Sequence, residues 1–565
     1  MSPETFSPTP SVPSDVADTA CIEARPSLLG RALLALAALF VVVRALPILS
    51  FPPSDDQGIY LTIGQGLLEG KQLYRDLCDS KPPGIFYLYA GIARLFGRAM
   101  WSVAVVDILL LFLISYLLFR FTVPYLGRAG AAIAVMVHAS WHGEMNYYAI
   151  AQPETFQVAC VLAAYLLMMR RGRGSRVSWF AAGLLLGYGC LLKHNAIAFL
   201  PLLLFVPFLD TSALDREPRR LSLAIPWRNW LTRGVLLLAG LAAAIGIVLA
   251  WIVFTGAWPA MRQMQFEVLP RYAAMGFERN PHYLLTFFAR TNYFLGERTL
   301  CATLAGLLLA WLRRDLRRFA PVVLAAFAAY AGAVMQVRFH DYYFQTCYPF
   351  FAAIWAYLVV SLYEGTCLLA RNLRQRGWRL AAGLIWIVFA QAIFWPLPEE
   401  FSKLTLRYEQ LREWQADHEG FYSAYPRLLP WDLLRGQLDV IHYLEKNAQP
   451  SDGVFLWGFN CSIYYFSGHQ PPTRLITNLG IVAQWGPPSF REELMRDLRN
   501  AQPRFLIVTR HDAIPSITYV NLDSEQSLKF FPKLNSFIIE NYKPVADFDT
   551  FVVYRRNHLA QWSSP

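Results

Sequence analysis

Hydrophobic positions in this chain gather into long uninterrupted runs, unlike the period-two or period-3.6 stripes of a water-soluble fold. Gly30–Ile48, Trp101–Phe121, Arg233–Thr255, Pro321–Val337 and Tyr343–Tyr363 each approach the ~20 residues that cross ~30 Å of hydrocarbon. Shorter runs at Ala129–Trp141, Thr155–Met169, Ser178–Leu192, Ala196–Leu209, Thr299–Leu312 and Leu380–Pro396 bring the expected total to about eleven spans. The expected fold class is therefore mainly α, a polytopic membrane protein.

Charge sorts along these runs. Arginines fill alternate linkers: Arg170 to Arg173, Arg216 to Arg220, Arg313 to Arg318 and Arg371 to Arg379. Placed in the cytoplasm, they set the N-terminus inside and the tail from about Glu399 outside. Five polar clusters then share the outer side: Asp55–Asp56, Asp76–Asp79–Lys81, Glu144 to Glu154, Lys193–His194 and Arg338–His340–Asp341. The expected location is the cell (inner) membrane, crossed many times.

Composition supports this. Of 565 residues, 55% are hydrophobic and 16% charged, too apolar for a soluble globular protein. The net charge of +11 is mostly topology, so no nucleic-acid partner is expected. Eight cysteines without metal-ligand or paired spacing imply no disulfide framework. Residues 1–27, rich in Ser, Pro and Thr, read as a disordered cytoplasmic tail, and 28–398 as the membrane domain with an outer loop at 51–97. Residues 399–565 change character. A helical pattern at Leu433–Lys446 precedes short apolar runs at Val454–Trp457, Ile463–Phe466, Phe505–Val508 and Phe551–Tyr554, punctuated by turn signals. A small extracytoplasmic mixed α/β domain is expected there, without a catalytic constellation of its own.

The outer loop Pro52–Gly97 carries most of the chemistry. Asp55 and Asp56 open an amphipathic pattern of Ile59, Ile63 and Leu67 that Gly70 stops; a second helix should follow Lys81, entered through Pro82-Pro83. Capping alone explains one aspartate at such a start. It does not explain two, with Asp76, Asp79 and Lys81 in the same loop. Lys81 lies beside a helix N-terminus, where free amides favour a phosphate.

The motif Asp56-x-Gly-x-Tyr60, Gly70, Tyr74-Arg-Asp76-x-x-Asp79-x-Lys81-Pro82-Pro83 resembles the first extracytoplasmic loop of GT-C glycosyltransferases, among them bacterial relatives of the protein O-mannosyltransferases and the lipid A aminoarabinose transferase. The resemblance continues in Gln152-Pro-Glu154, Gly187–Lys193 and Arg338-x-His340-x-Tyr342-Tyr343. It implies transfer of a sugar from a polyprenyl-phosphate carrier to a glycan, lipid or protein acceptor at the outer membrane face. It departs at Gln57, where many relatives carry Glu beside the catalytic Asp.

Chemistry agrees with these residue types. A phosphate leaving group needs no general acid, so one carboxylate base suffices. Asp56 is expected as that base, with Asp55 beside it. Lys81, Lys193, Arg338 and His340 would stabilise the departing phosphate, and Tyr60, Asp79, Glu154, Tyr342 and Tyr343 would complete the substrate site. Ordinary alternatives exist for several: snorkelling for Lys193, an interfacial position for His340, the helix dipole for Glu154, an aromatic belt for Tyr342 and Tyr343. No cofactor is expected to be required, although Asp55, Asp56 and Asp79 could hold a divalent cation. The loop Gly256–Arg298, with Arg262, Glu267, Arg271, Tyr272, Glu278 and Arg279, is either an acceptor selector or a solvated connector. Arg44 and Asp107, inside the ends of two spans, should pair or face a hydrated cavity. The alternative function is a transporter or flippase of lipid-linked glycans, which would place polar groups near the bilayer midplane.

Overall fold

The computed structural model describes residues 28–169, 175–205, 227–279, 282, 285–287, 289, 291, 296–336, 340–372, 383, 397–425, 434–548 and 550–557. The expected tail, the span Leu380–Pro396 and Arg338 lie outside the described residues. Long helices dominate the first part of the chain: α1 (Leu28–Ala45), α2 (Asp55–Leu68), α3 (Gly84–Phe96), α4 (Ser102–Gly143), α5 (Pro153–Met168), α6 (Arg176–Leu192), α7 (Leu200–Phe205) and α8 (Trp227–Phe254). Glu297–Leu312, Leu316–Val334 and Tyr348–Asn372 follow. Five described helices are long and apolar enough to cross a membrane, and shorter apolar ones accompany them. Leu39, Leu109, Ile247, Phe254 and Phe327 point outward from these helices, the pattern of a surface solvated by lipid. The protein is a polytopic membrane protein.

Helix α4 covers two of the expected spans. Its backbone breaks at Gly127 (φ 65°, ψ −179°), three residues after Pro124. At ~1.5 Å per residue, Asp107 and His142 would lie roughly 50 Å apart on a straight helix. His142 Nε2 is instead 2.7 Å from Asp107 Oδ2, so the chain reverses at Gly127 and the two arms pair. The Arg120–Arg128 linker is thus a tight helical hairpin. Close approach elsewhere relies on small residues: a Cβ on Gly183 would lie 2.0 Å from the Leu237 carbonyl, and one on Gly240 2.1 Å from that of Phe180, locking α6 against α8.

The two helices expected in the outer loop are α2 and α3, with Gly70 at φ 88° just past the first and Pro83 capping the second. Ser54, rather than either aspartate, stands at the α2 N-cap, and Gln57 reaches back to its backbone N–H at 2.5 Å. Both short helices lie against the same end of the bundle, and the C-terminal domain sits over them.

That domain holds a four-stranded sheet in the order β1-β2-β4-β3, formed by Val454–Trp457, Phe505–Thr509, Phe551–Arg556 and Tyr542–Asp547. Strands β1 and β2 are parallel and the other pairs antiparallel. The run Ile463–Phe466 is helical (Ser462–Ser467), since it follows a short turn out of β1 and packs on α2. Contacts with the outer loop are direct: Thr62 Oγ1 donates to the Cys461 carbonyl (2.8 Å), Cys78 N to the Arg474 carbonyl (2.9 Å), and Tyr465 OH to the Gly97 carbonyl (2.5 Å). Helix Leu397–Ala416 packs on the end of the membrane bundle, with Tyr408 OH donating to the Val43 carbonyl (3.0 Å).

Candidate active site

Loop 70–83 is shaped to present Lys81. Tyr74 takes a left-handed conformation (φ 66°), which a non-glycine residue adopts only when its surroundings hold it there. The surroundings do: its ring is fully buried and its hydroxyl donates to the Lys81 carbonyl at 2.8 Å. Gln265 Nε2 donates to the Ser80 and Lys81 carbonyls (3.0 and 3.2 Å), and Asp79 Oδ1 accepts from Lys81 N (2.9 Å). The Lys81 ammonium then sits 3.3 Å from Asp56 Oδ1, on the first turn of α2.

A cavity of about 360 Å³ opens at this pair, within the size range of small-molecule sites. Asp56, Asp79, Lys81, Lys193, His340, Tyr342 and Tyr343 line it together, drawn from four separate stretches of the membrane domain. Tyr342 OH donates to Asp56 Oδ2 at 3.4 Å, and the His340 ring stacks on Tyr342 with centroids 5.5 Å apart. Burial alone would push the Asp56 carboxyl up, but Lys81, with His340 and Lys193 behind it, holds it below its ordinary value. Lys81 is raised: burial opposes its charge, and Asp56 and Asp79 outweigh that. The Asp56 carboxylate is thus favoured in its ionised form beside the Lys81 ammonium.

Lys193, just past the end of α6, is held differently. Glu154, fully buried on the first turn of α5, accepts a hydrogen bond from its ammonium, and the ammonium lies 3.7 Å from the Tyr343 ring centroid. Burial nevertheless lowers the Lys193 pKa, with Glu154 opposing. Gln157 Nε2 donates to the Lys193 carbonyl (2.5 Å) and so fixes the cap.

Three residues expected to meet substrate stand behind the wall. Tyr60 has no exposed surface; its ring lies 4.9 Å from the Lys81 ammonium and supports it. Glu154 reaches the cavity only through Lys193. Asp55 turns away and accepts from Asn460 Nδ2 (2.9 Å) of the C-terminal domain, because neighbours on a helix diverge by about 100°. Gln57 is also buried and donates to the Ile150 carbonyl (2.8 Å), tying α2 to the segment before α5. At this position the chain has an anchor in place of the relatives' acid. Among the described residues no three His, Cys, Asp or Glu side chains are grouped to share a metal ion.

Of the other half of the cavity, sequence reasoning marked only Tyr272, in the loop expected to be an acceptor selector or a solvated connector. Met264, Val268 and Tyr272 come from the 256–298 loop, which is helical over Trp258–Gln263 and Leu269–Arg279 with a π turn between. Leu475, Ile481, Trp485, Phe490 and Ile517 come from the C-terminal domain. The amphipathic pattern of Leu269–Arg279 was a usable signal for the first group; nothing local marks the second. Arg44 and Asp107 are each partnered, separately. Arg44 donates to the Ser140 carbonyl (2.6 Å) and faces Glu144 and Glu400 at 3.7 Å, while Asp107 Oδ1 accepts from Ala151 N (2.7 Å).

Comparison with known proteins bears on this arrangement. Residues 80–252 match the sequence model of the family described as dolichyl-phosphate-mannose-protein mannosyltransferase. The crystal structure of ArnT from Cupriavidus metallidurans bound to undecaprenyl phosphate superposes at TM-score 0.50 with 15% identity, over 95% of this chain and 100% of that one. Its apo state gives TM-score 0.52 and 14% identity, over 93% and 98%. No curated protein matches the sequence. The resemblance seen in the first outer loop is thereby borne out. The chain has the fold of the ArnT structures.

Proposed function

We propose that this protein is an inverting glycosyltransferase that moves a sugar from a polyprenyl-phosphate carrier to an acceptor hydroxyl at the outer face of the cytoplasmic membrane. The observation that carries the reading is the Asp56 carboxyl 3.3 Å from the Lys81 ammonium in a cavity that also receives Lys193 and His340. The ArnT homologue binding undecaprenyl phosphate with a matching fold supports the donor class.

The residues divide the work as follows. Asp56 accepts the proton of the acceptor hydroxyl as its oxygen attacks C1 of the donor sugar. The C1–O bond breaks with its electron pair going to the phosphate oxygen. Lys81, Lys193 and His340 meet the negative charge that grows there. A single displacement with one base inverts the anomeric centre. Protonation of Asp56 would leave Lys81 without its partner, so proton transfer and phosphate release are electrostatically linked. No metal enters this scheme.

The test is mass analysis of envelope glycans and lipids from a strain lacking the gene. Wild-type protein should restore a sugar modification that disappears on deletion. Asp56→Asn, inserted at wild-type level, should fail to restore it, consistent with the ~10²–10⁴-fold that general-base catalysis contributes. Restoration by Asp56→Asn would exclude this residue as the base.

A further inference from the structure

The cavity has two walls of opposite character. Its charged groups all come from the membrane domain and its loops, whereas the C-terminal domain contributes only neutral residues, chiefly Leu475, Ile481, Trp485, Phe490 and Ile517. This neutral wall is prearranged. Trp485 Nε1 donates to the Ile517 carbonyl (2.8 Å), and its ring meets Tyr272 edge-on at 5.2 Å between centroids. Gln484 N donates to the Thr518 carbonyl (3.0 Å). A Cβ on Gly486 would lie 1.8 Å from the Gly480 carbonyl, so only glycine closes the turn that presents Trp485. At its edge the wall is joined to the Lys81 loop through the bond from Cys78 N to the Arg474 carbonyl (2.9 Å).

An isoprenoid chain stays in hydrocarbon, so a lipid-linked donor enters from the bundle and lays its phosphate on the charged wall. The opposite wall is left for the second substrate. Among the described residues its lining holds no cation, and a phosphate or carboxylate beside the reacting hydroxyl would be desolvated there without compensation. Aromatic and aliphatic groups along one wall suit a ring with an apolar C–H face and a hydroxylated edge.

We propose that Leu475 to Trp485, with Phe490 and Ile517, form the acceptor subsite, and that it takes a neutral sugar whose C–H face packs on Trp485. This rests on the glycosyltransferase reading above. Two measurements separate them: undecaprenyl phosphate binding by the purified full-length protein, and the glycan product in the complemented deletion strain. Trp485→Ala and Leu479→Asp, the latter at a half-buried position on the same wall, should each lower product by about 10-fold or more, while undecaprenyl phosphate affinity stays within about 2-fold. Trp485→Phe should recover most of the product, and the new linkage should map to a sugar hydroxyl. If one variant fails to fold, the other decides. Product at wild-type level from a folded variant overturns the subsite, as does a modified protein or phosphate group as acceptor; in either case the transferase reading stands. Wild-type protein that does not bind undecaprenyl phosphate would overturn the transferase reading itself.

Discussion

Two acidic clusters near the same end of the bundle show how differently one residue type can be used. Asp107 is completely buried, and both carboxylate oxygens are engaged, one by Ala151 N and one by His142. Ala151 needs the help, because its φ of 46° is strained for a residue with a Cβ. The cluster therefore holds the chain entering α5, where Glu154 sits. Asp56 keeps 29% of its side chain exposed, has a cation on one side and a cavity on the other, and retains room to accept a proton. A fully buried carboxylate organises; a partly exposed one facing a cavity has room to react.

Substitutions can break or sharpen that contrast. The largest separation comes from comparing activity with stability: Asp56→Asn should lose transfer in a folded protein whose melting temperature falls only by what the partly exposed ion pair with Lys81 contributes, whereas Asp107→Asn should lose activity and more of the stability. Asn in place of Asp107 loses the negative charge and keeps one acceptor oxygen where Asp107 uses two, so about 1–3 kcal/mol of stability should go, read by thermal unfolding in detergent. A folded, inactive Asp107→Asn protein would make Asp107 part of the chemistry instead.

Lys193→Met is expected to be more damaging to stability still, about 3–5 kcal/mol, since it leaves Glu154 charged and fully buried with no cation. Adding Glu154→Gln should recover most of that stability but not the activity, because the phosphate then lacks one of its cations. Recovery of activity in the double variant would remove Lys193 from the site.

A pH profile reports on the other pair. The Asp56 carboxyl lies below its ordinary value, so its ionised form, and the stability it shares with Lys81, persists above the unfolded pKa of ~3.9 and is lost as pH falls through the lower folded one. Lys81→Met removes the main cause of that depression. The acid limb of residual activity should then move up by about 1–2 pH units. A limb that stays in place would assign it to another group. The smallest effect is expected for Asn460→Ala, about 1 kcal/mol, which removes one hydrogen bond to Asp55 but leaves Asp56 paired. If this variant instead loses transfer with stability intact, the interdomain bond is part of the catalytic geometry.

How far residue order alone reached can be judged from particular segments. The spans were legible because hydrocarbon imposes a local requirement on every ~20-residue window. Lys81 and Asp56 were legible because Pro, Gly and Asp mark helix ends within one loop. Tyr60, Asp55 and Glu154 were placed one layer too near the substrate, since spacing says which residues are close and leaves side-chain direction open. The helical run at Ile463–Phe466 is the same ambiguity in short apolar segments.

Taken by itself, residue order determined that this protein crosses a membrane repeatedly, that its polar residues collect at one end of the bundle, and that one loop carries both Asp56 and Lys81. Only the tertiary structure decided that α4 folds back at Gly127, that Glu154 compensates Lys193, and that Trp485 faces Asp56's cavity. Hydrophobicity and helix capping act over a few residues and leave a mark on the string. Contacts between positions hundreds of residues apart depend on how helices and sheet pack in space, and no short stretch of sequence carries that information.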